Sequence, residues 1–204
     1  MAQVLIKTIC LAVANVRLNG KEPSLRVLLN DPPDEPVRWP EHHWTEGPLE
    51  PMLQHNNHLS LEGRLRFSGH VSVAGDNSGR MTIYPLMIGG PYSVQHQFRF
   101  LCWKDVSRLP TGDRNGNEAL RKALDFLKED LTHGRGMTAF RFVSRNGFTA
   151  TELRRVYESI LGVSLDHANF RKRILRMQRK GLVWETTEKR PTPTRPATIY
   201  RTTF

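Results

Sequence analysis

The feature that most constrains this chain is a pair of helix start and stop signals in "FTATELRRVYESILGVSLDHANFRKRILRMQRKG", residues 148–181. Thr149 followed by Glu152 has the spacing of a capping box, in which hydroxyl and carboxylate each satisfy the other residue's backbone N–H at a helix start. Gly162 then stops that helix, because glycine enters the left-handed conformation of a helix end without a Cβ clash. Asp166 can cap a second helix, and Gly181 ends it. Leu153, Val156, Tyr157 and Ile160 give the first helix an apolar stripe, and Phe170, Ile174 and Met177 do the same for the second. Two short amphipathic helices on a tight turn have to pack on one another. The strands "LVWETT" and "ATIYRTT" follow, around the loop "EKRPTPTRP". Helix, turn, helix and hairpin is the order of a winged helix-turn-helix.

The second helix carries Arg171, Lys172, Arg173, Arg176, Arg179 and Lys180, with no carboxylate between the first and the last. Stepping ~100° per residue from Phe170 puts Ile174 and Met177 within about 40° of it. Asn169, Lys172, Arg176 and Arg179 gather on the opposite side, with Arg171 and Arg173 at the flanks. A solvated helix face is the plain alternative, but such a face normally mixes signs, since pairs four apart stabilise an exposed helix. Like charges crowded on one helix repel, and a polyanion offsets that repulsion. The reading is therefore a DNA-recognition helix entering the major groove. Asn169 suits a two-pronged contact with adenine or, equally, a role at the helix start; Arg176 or Lys172 suits guanine. Arg190 and Arg195, in the stiff Pro-rich loop, suit a minor groove or flanking phosphates, unless they only decorate a loop tip.

The charge distribution supports this division of labour. From Gly134 onward the 204-residue chain has fifteen Lys and Arg against five Asp and Glu, which accounts for the whole formal charge of +10. Residues 1–133 are neutral. That first part reads as a sheet: a hairpin turning at Asn19-Gly20, a Pro-rich acidic loop, "DPPDEPVRWPEHHWTEGPLEP", and then alternating strands to about residue 105. The helix "NEALRKALDFLKEDL", with Leu120, Leu124, Leu127 and Leu131 in register and Asn117 as its cap, closes the domain. Cys10 and Cys102 lie in strand-like runs, as reduced thiols of a cytoplasmic protein. No apolar run approaches the ~18 residues of a membrane span. The domains expected are residues 1–133 and 134–204.

Phe148-Thr149, Glu152-Leu153, Val156-Tyr157-Glu158, Ile160-Leu161-Gly162, Asn169-Phe170-Arg171, Arg195-Pro196-Ala197 and Tyr200 together resemble the C-terminal winged helix of the Nudix-related transcriptional regulators, the NrtR family. Further upstream, "AGDNSGRMTIYPLMI" is similar to the family's segment after the Nudix box, and "FLCWKDVSRLP" to the strand before its closing helix. The resemblance implies an α+β chain: a Nudix-like mixed-sheet domain followed by a winged helix-turn-helix. It also implies a homodimer on a palindromic operator in double-stranded DNA, and a nucleotide effector such as ADP-ribose or another NAD metabolite. Arg80 matches an arginine of the family pattern and is the candidate ligand-binding residue, although pairing with Asp76 would serve it as well.

Nudix hydrolysis needs an Arg-Glu pair and two adjacent glutamates to hold Mg²⁺ against a pyrophosphate. This sequence contains no Arg-Glu and no Glu-Glu dipeptide. Between Trp39 and Gly69 the carboxylates are Glu41, Glu46, Glu50 and Glu62, and Pro48 and Pro51 spoil a helix start. No catalytic residue and no cofactor is assigned. His42, His43, His55 and His58 lack the further ligands and rigid knuckle of a zinc site and read as loop histidines. Two alternatives stay open: a Nudix-type pyrophosphohydrolase with a nucleic-acid-binding tail, and a winged-helix module of a larger nucleoprotein assembly.

Overall fold

The structure, a computed structural model, describes residues 7–18, 23–30, 33–34, 37, 41–44, 66–67, 71–73, 81–87, 101–109, 114–144, 146–193 and 195–202. It comprises two compact units. Met1–Asn15, Arg26–Ile88 and Tyr92–Phe126 make the first; Val16–Leu25, Gly89–Pro91 and Leu127–Phe204 make the second.

The first unit is built on strands β1 (Lys7–Arg17), β2 (Ser24–Asn30), β3 (Glu41–Trp44), β4 (Arg66–Phe67), β5 (Val71–Val73), β6 (Met81–Met87) and β7 (Leu101–Asp105). They form one mixed sheet along the path β4-β6-β1-β2-β7, with β3 also on β1 and β5 also on β6. β1 and β6 are parallel, in register from Ile9 opposite Thr82 to Ala14 opposite Met87. A parallel pair cannot be closed by a tight turn, so the intervening chain has to cross over. Leu25, Val27 and Leu29 are buried at the two-residue period of a strand.

The Pro-rich acidic segment differs from the loop expected of it, because Glu41–Trp44 pairs antiparallel with Lys7–Cys10. Its backbone completes a ladder offered by β1, a reason that leaves no apolar alternation in the sequence. His42 and His43 belong to this strand. Asn19-Gly20, Arg80, His55 and His58 lie outside the described residues.

Helix α1 (Arg114–Thr132) begins before Asn117, which stands inside the first turn and does not cap it. Once a helix is nucleated it propagates residue by residue, and here it runs on through Gly116. Leu120, Leu127 and Leu131 are buried and Leu124 is half-buried. A 3-10 turn, Met137–Phe142, then sinks Thr138, Ala139, Phe140 and Phe142 into the second unit's core.

The rest of that unit is β8 (Phe148–Thr149), α2 (Ala150–Leu161), α3 (His167–Arg179), β9 (Val183–Arg190) and β10 (Ala197–Thr202), with the strands in the order β8-β10-β9. The capping box is complete: the Thr149 hydroxyl accepts from Glu152 N at 3.2 Å, and Glu152 Oε2 accepts from Thr149 N at 2.8 Å. Gly162 ends α2 at φ 72°. Glu158 fixes the turn between the helices, since its Oε1 accepts from Leu165 N at 2.9 Å and from Arg154 Nη1 at 2.8 Å. Asp166 Oδ1 caps α3 by accepting from Asn169 N at 2.8 Å. The stripes read from the sequence, Leu153, Val156, Tyr157 and Ile160 on α2 and Phe170, Ile174 and Met177 on α3, are all buried.

Tyr157 lies at the centre of this packing. Its ring meets Phe170 edge-on at 5.3 Å, and its hydroxyl donates to Gly136 O at 3.3 Å. Gly136 has φ +67°, and a Cβ there would fall 2.1 Å from that hydroxyl, so the position accepts only glycine. Burial pushes the phenol up to about 12 from 10.0, against the pull of Arg173. A raised folded pKa holds its full stabilisation below pH 10 and loses it as pH climbs through the folded value. Denaturant unfolding of wild type should therefore weaken between pH 10 and 12 by on the order of 2–3 kcal/mol more than that of Tyr157→Phe. Parallel pH curves would contradict this.

Candidate nucleic-acid interface

Helix α3 presents two chemically different faces because its sequence sorts them at helical period. Phe170, Ile174 and Met177 are buried, while Asn169, Arg171, Lys172, Arg176, Arg179 and Lys180 are exposed. Among the described residues none of these five cations forms an ion pair; the Arg176 Nε donates only to the Lys172 carbonyl, at 3.4 Å. Their field is thus uncompensated locally, the arrangement that attracts phosphates.

Arg173 is placed differently. It is half-buried, its guanidinium lies over the Tyr157 ring at 4.8 Å from the centroid, and its Nη1 donates to Leu131 O at 3.4 Å. It braces α3 against α2 and the end of α1. Arg171 is exposed and lies within electrostatic reach of Tyr200. Burial first, then the Glu185 carboxylate, raises the Tyr200 phenol, and Arg171 and Lys189 draw it down.

The wing is the β9-β10 hairpin. Its ladder extends to Ala197 opposite Arg190, with Lys189 Nζ donating to Thr198 Oγ1 at 3.0 Å and Arg201 Nη2 to Glu188 Oε1 at 3.2 Å. These cross-strand bonds carry β9 beyond the boundary read from the sequence. Arg190 is consequently the last residue of a strand and not part of a loop. Its Nη1 pairs with Glu152 Oε1, and its Nη2 donates to Gly147 O at 3.3 Å. Arg195 stays exposed in the connection, where the Thr192 hydroxyl accepts from its backbone N–H at 3.3 Å.

Three exposed side chains escaped the sequence reading. Leu175 on α3 and Trp184 on β9 are 47% and 45% exposed. Arg135 is exposed between Gly134 and Gly136, and it borders a cleft shared with Arg173, Arg176 and Lys180. Its flanking glycines were the available signal. On their own they assign no role to the residue between them, because the glycine conformation that presents Arg135 is dictated by Tyr157, a residue distant in sequence.

A cation-bearing second helix packed on a capped first helix, beside a two-stranded wing, defines a DNA-binding winged helix-turn-helix. Residues 145–202 match the NrtR DNA-binding winged helix domain. The C-terminal domain of this chain is of the NrtR type.

The likeness in fold extends over the whole chain. Shewanella oneidensis NrtR complexed with a 27mer DNA is 19% identical, with a TM-score of 0.72 over 98% of this chain and 94% of that one. A second structure of Shewanella oneidensis NrtR is 18% identical with a TM-score of 0.70, covering 98% and 94%. A MutT/nudix family protein from Enterococcus faecalis is 17% identical with a TM-score of 0.66, covering 99% and 89%. These matches establish an α+β fold with a Nudix-like N-terminal part. No curated protein sequence matches the chain. Among the described residues, no helix is long and apolar enough to cross a membrane.

The two wing arginines should behave differently on substitution. Arg190→Ala should lower the thermal unfolding midpoint and leave the salt dependence of DNA binding unchanged. Arg195→Ala should leave the midpoint unchanged and reduce the slope of log K against log salt by about 1. The reverse pattern would mean that Arg190 meets DNA.

Proposed function

We propose that this protein is a sequence-specific transcription regulator that binds a palindromic operator in double-stranded DNA as a homodimer. The observation that carries the reading is α3: its cations have no carboxylate partner among the described residues, while its opposite face is buried. In this reading Lys172, Arg176 and Arg179 enter the major groove, with Asn169 at the helix start and Arg171 and Lys180 on the flanking backbone. Leu175, apolar and exposed among cations, has the chemistry to meet a thymine methyl. Arg195 reaches DNA from the wing, whereas Arg173 and Arg190 hold α3 and the wing in position. The DNA complex of the Shewanella protein, similar in fold over nearly the whole chain, supports this reading. Two-fold operator symmetry would follow from a two-fold dimer, with half-sites about one helical turn apart.

The N-terminal domain serves as a dimerisation platform and a sensor of a nucleotide such as ADP-ribose or a related NAD metabolite, with Arg80 addressing a ligand phosphate. It does not act as a hydrolase. Family hydrolysis rests on Mg²⁺ held by paired carboxylates, and this chain has neither an Arg-Glu nor a Glu-Glu dipeptide to supply them. The donor set does not fit the metal.

Gel-shift binding to the promoters of its own neighbouring genes, with and without ADP-ribose, tests the regulator. Lys172→Ala with Arg176→Ala should weaken operator binding roughly hundredfold, as two lost contacts of 1–3 kcal/mol would, while the circular dichroism spectrum stays the same. Unchanged binding would remove α3 from the interface. Incubation with Mg²⁺ and a panel of ADP-ribose and dinucleotide substrates should yield no turnover, and sustained hydrolysis would reinstate the enzyme reading.

A further inference from the structure

Beside α3, within the second unit, lies an open cleft of about 430 Å³. One wall is the Gly134-Arg135-Gly136 segment and the other is the flank of α3 that carries Arg173, Arg176 and Lys180, with Tyr157 and Met177 beneath. Helical spacing of three and seven residues puts Arg173, Arg176 and the C-cap residue Lys180 in one row, and Arg135 lines the same cleft from the segment after α1. No carboxylate among the described residues lines it. Asp130 stands just outside the lining: its Oδ2 accepts from Thr138 Oγ1 at 2.6 Å and from Thr138 N at 3.1 Å, and its Oδ1 lies beside Gly134, so one carboxylate offsets part of the charge of four cations.

The site is built rather than incidental. Arg173 is fixed by the Tyr157 ring and the Leu131 carbonyl. Arg135 is presented by two glycines whose geometry is imposed: a Cβ at Gly134 would meet Asp130 O at 2.8 Å, and one at Gly136 would meet the Tyr157 hydroxyl. The backbone N–H groups of Gly134 and Gly136 donate to Glu129 O and Asp130 O, so anion binding falls to the side chains. Arg135 and Lys180 have no side-chain hydrogen bond or ion pair among the described residues. Four cations around a concavity with partly apolar walls focus their field into it. Its volume falls in the ~300–1,000 Å³ range of small-ligand sites, and its floor is aromatic and aliphatic.

We infer that this cleft is a phosphate-binding site, in which Arg135, Arg176 and Lys180 close on a phosphate or pyrophosphate group against the fixed Arg173. Two sources can supply that group: a phosphorylated small molecule, or the backbone of the DNA that flanks α3. The second source rests on the DNA-binding reading above. In the first, Arg176 belongs to both surfaces, so an occupant of the cleft and DNA oppose each other, and the coupling is reciprocal.

The experiment uses the full chain and sodium pyrophosphate as the probe. Calorimetric titration in the absence of DNA is compared with the salt dependence of DNA binding. Both are repeated with Arg135→Ala/Lys180→Ala and with Arg121→Ala/Lys128→Ala, a control that removes equal charge from exposed positions of α1. For a small-molecule site, pyrophosphate binds saturably, the cleft variant loses that binding, and the control keeps it. For a backbone site, the cleft variant reduces the DNA salt slope by about 2 and the control does not. The inference is overturned if the cleft variant matches wild type in both assays, or if the control loses as much as the cleft variant. The pyrophosphate arm contains no DNA, so it stands or falls separately from the DNA-binding reading.

Discussion

The winged domain depends on the burial of one phenol. Tyr157, itself on α2, ties two further elements together through three contacts: Phe170 and the guanidinium of Arg173 on α3, and the Gly136 carbonyl in the segment after α1. An aromatic ring buries a large area and offers both an edge and a face for specific contacts. Here the edge holds α3 and the face holds a cation, so the helix is fixed in rotation as well as position. That rotation decides which of its arginines are free. Arg173 is turned inward onto the ring, and Arg176, one turn further on, is left exposed.

The second constraint is the disposition of acid. From Gly134 onward there are five carboxylates, and each has a local partner. Glu152 closes the capping box and pairs with Arg190; Glu158 pairs with Arg154 and binds the N–H of Leu165; Asp166 caps α3; Glu185 pairs with Lys189, and Glu188 with Arg201. Individually these surface pairs add little stability. Their effect is geometric, because they fix the helix start, the interhelical turn and the base of the wing. They also use up the negative charge, which leaves the exposed face of α3 positive. The excess of positive charge is therefore a property of one face, a stronger basis for nucleic-acid binding than net charge alone.

Much of this was legible because the winged helix follows local rules. Capping at Thr149 and Asp166, stops at Gly162 and Gly181, and two apolar stripes are each settled within a few residues, and the structure has all of them. The readings that shifted depend on partners remote in sequence. Glu41–Trp44 is a strand because β1 offers it a ladder. Arg190 is a strand residue because Ala197 lies opposite and Glu152 lies within reach. On a helical wheel Arg173 stands at a flank just as Arg171 does, and only the position of Tyr157 separates the two. Asn117 carried a cap signal inside a helix that had already begun.

Arg135 illustrates the same principle at the site itself. Its sequence surroundings, glycine on either side, signal only a break between two helical segments. What gives the residue a role is the left-handed turn at Gly136, which the Tyr157 hydroxyl leaves no room to replace. That turn brings a cation from outside the helix-turn-helix up to the flank of α3. A charge supplied by a separate backbone segment can approach an anion from a direction that helix residues cannot. The cleft therefore has cations on two backbone segments where a helix alone would present a single face, and an anion held there meets charge from both.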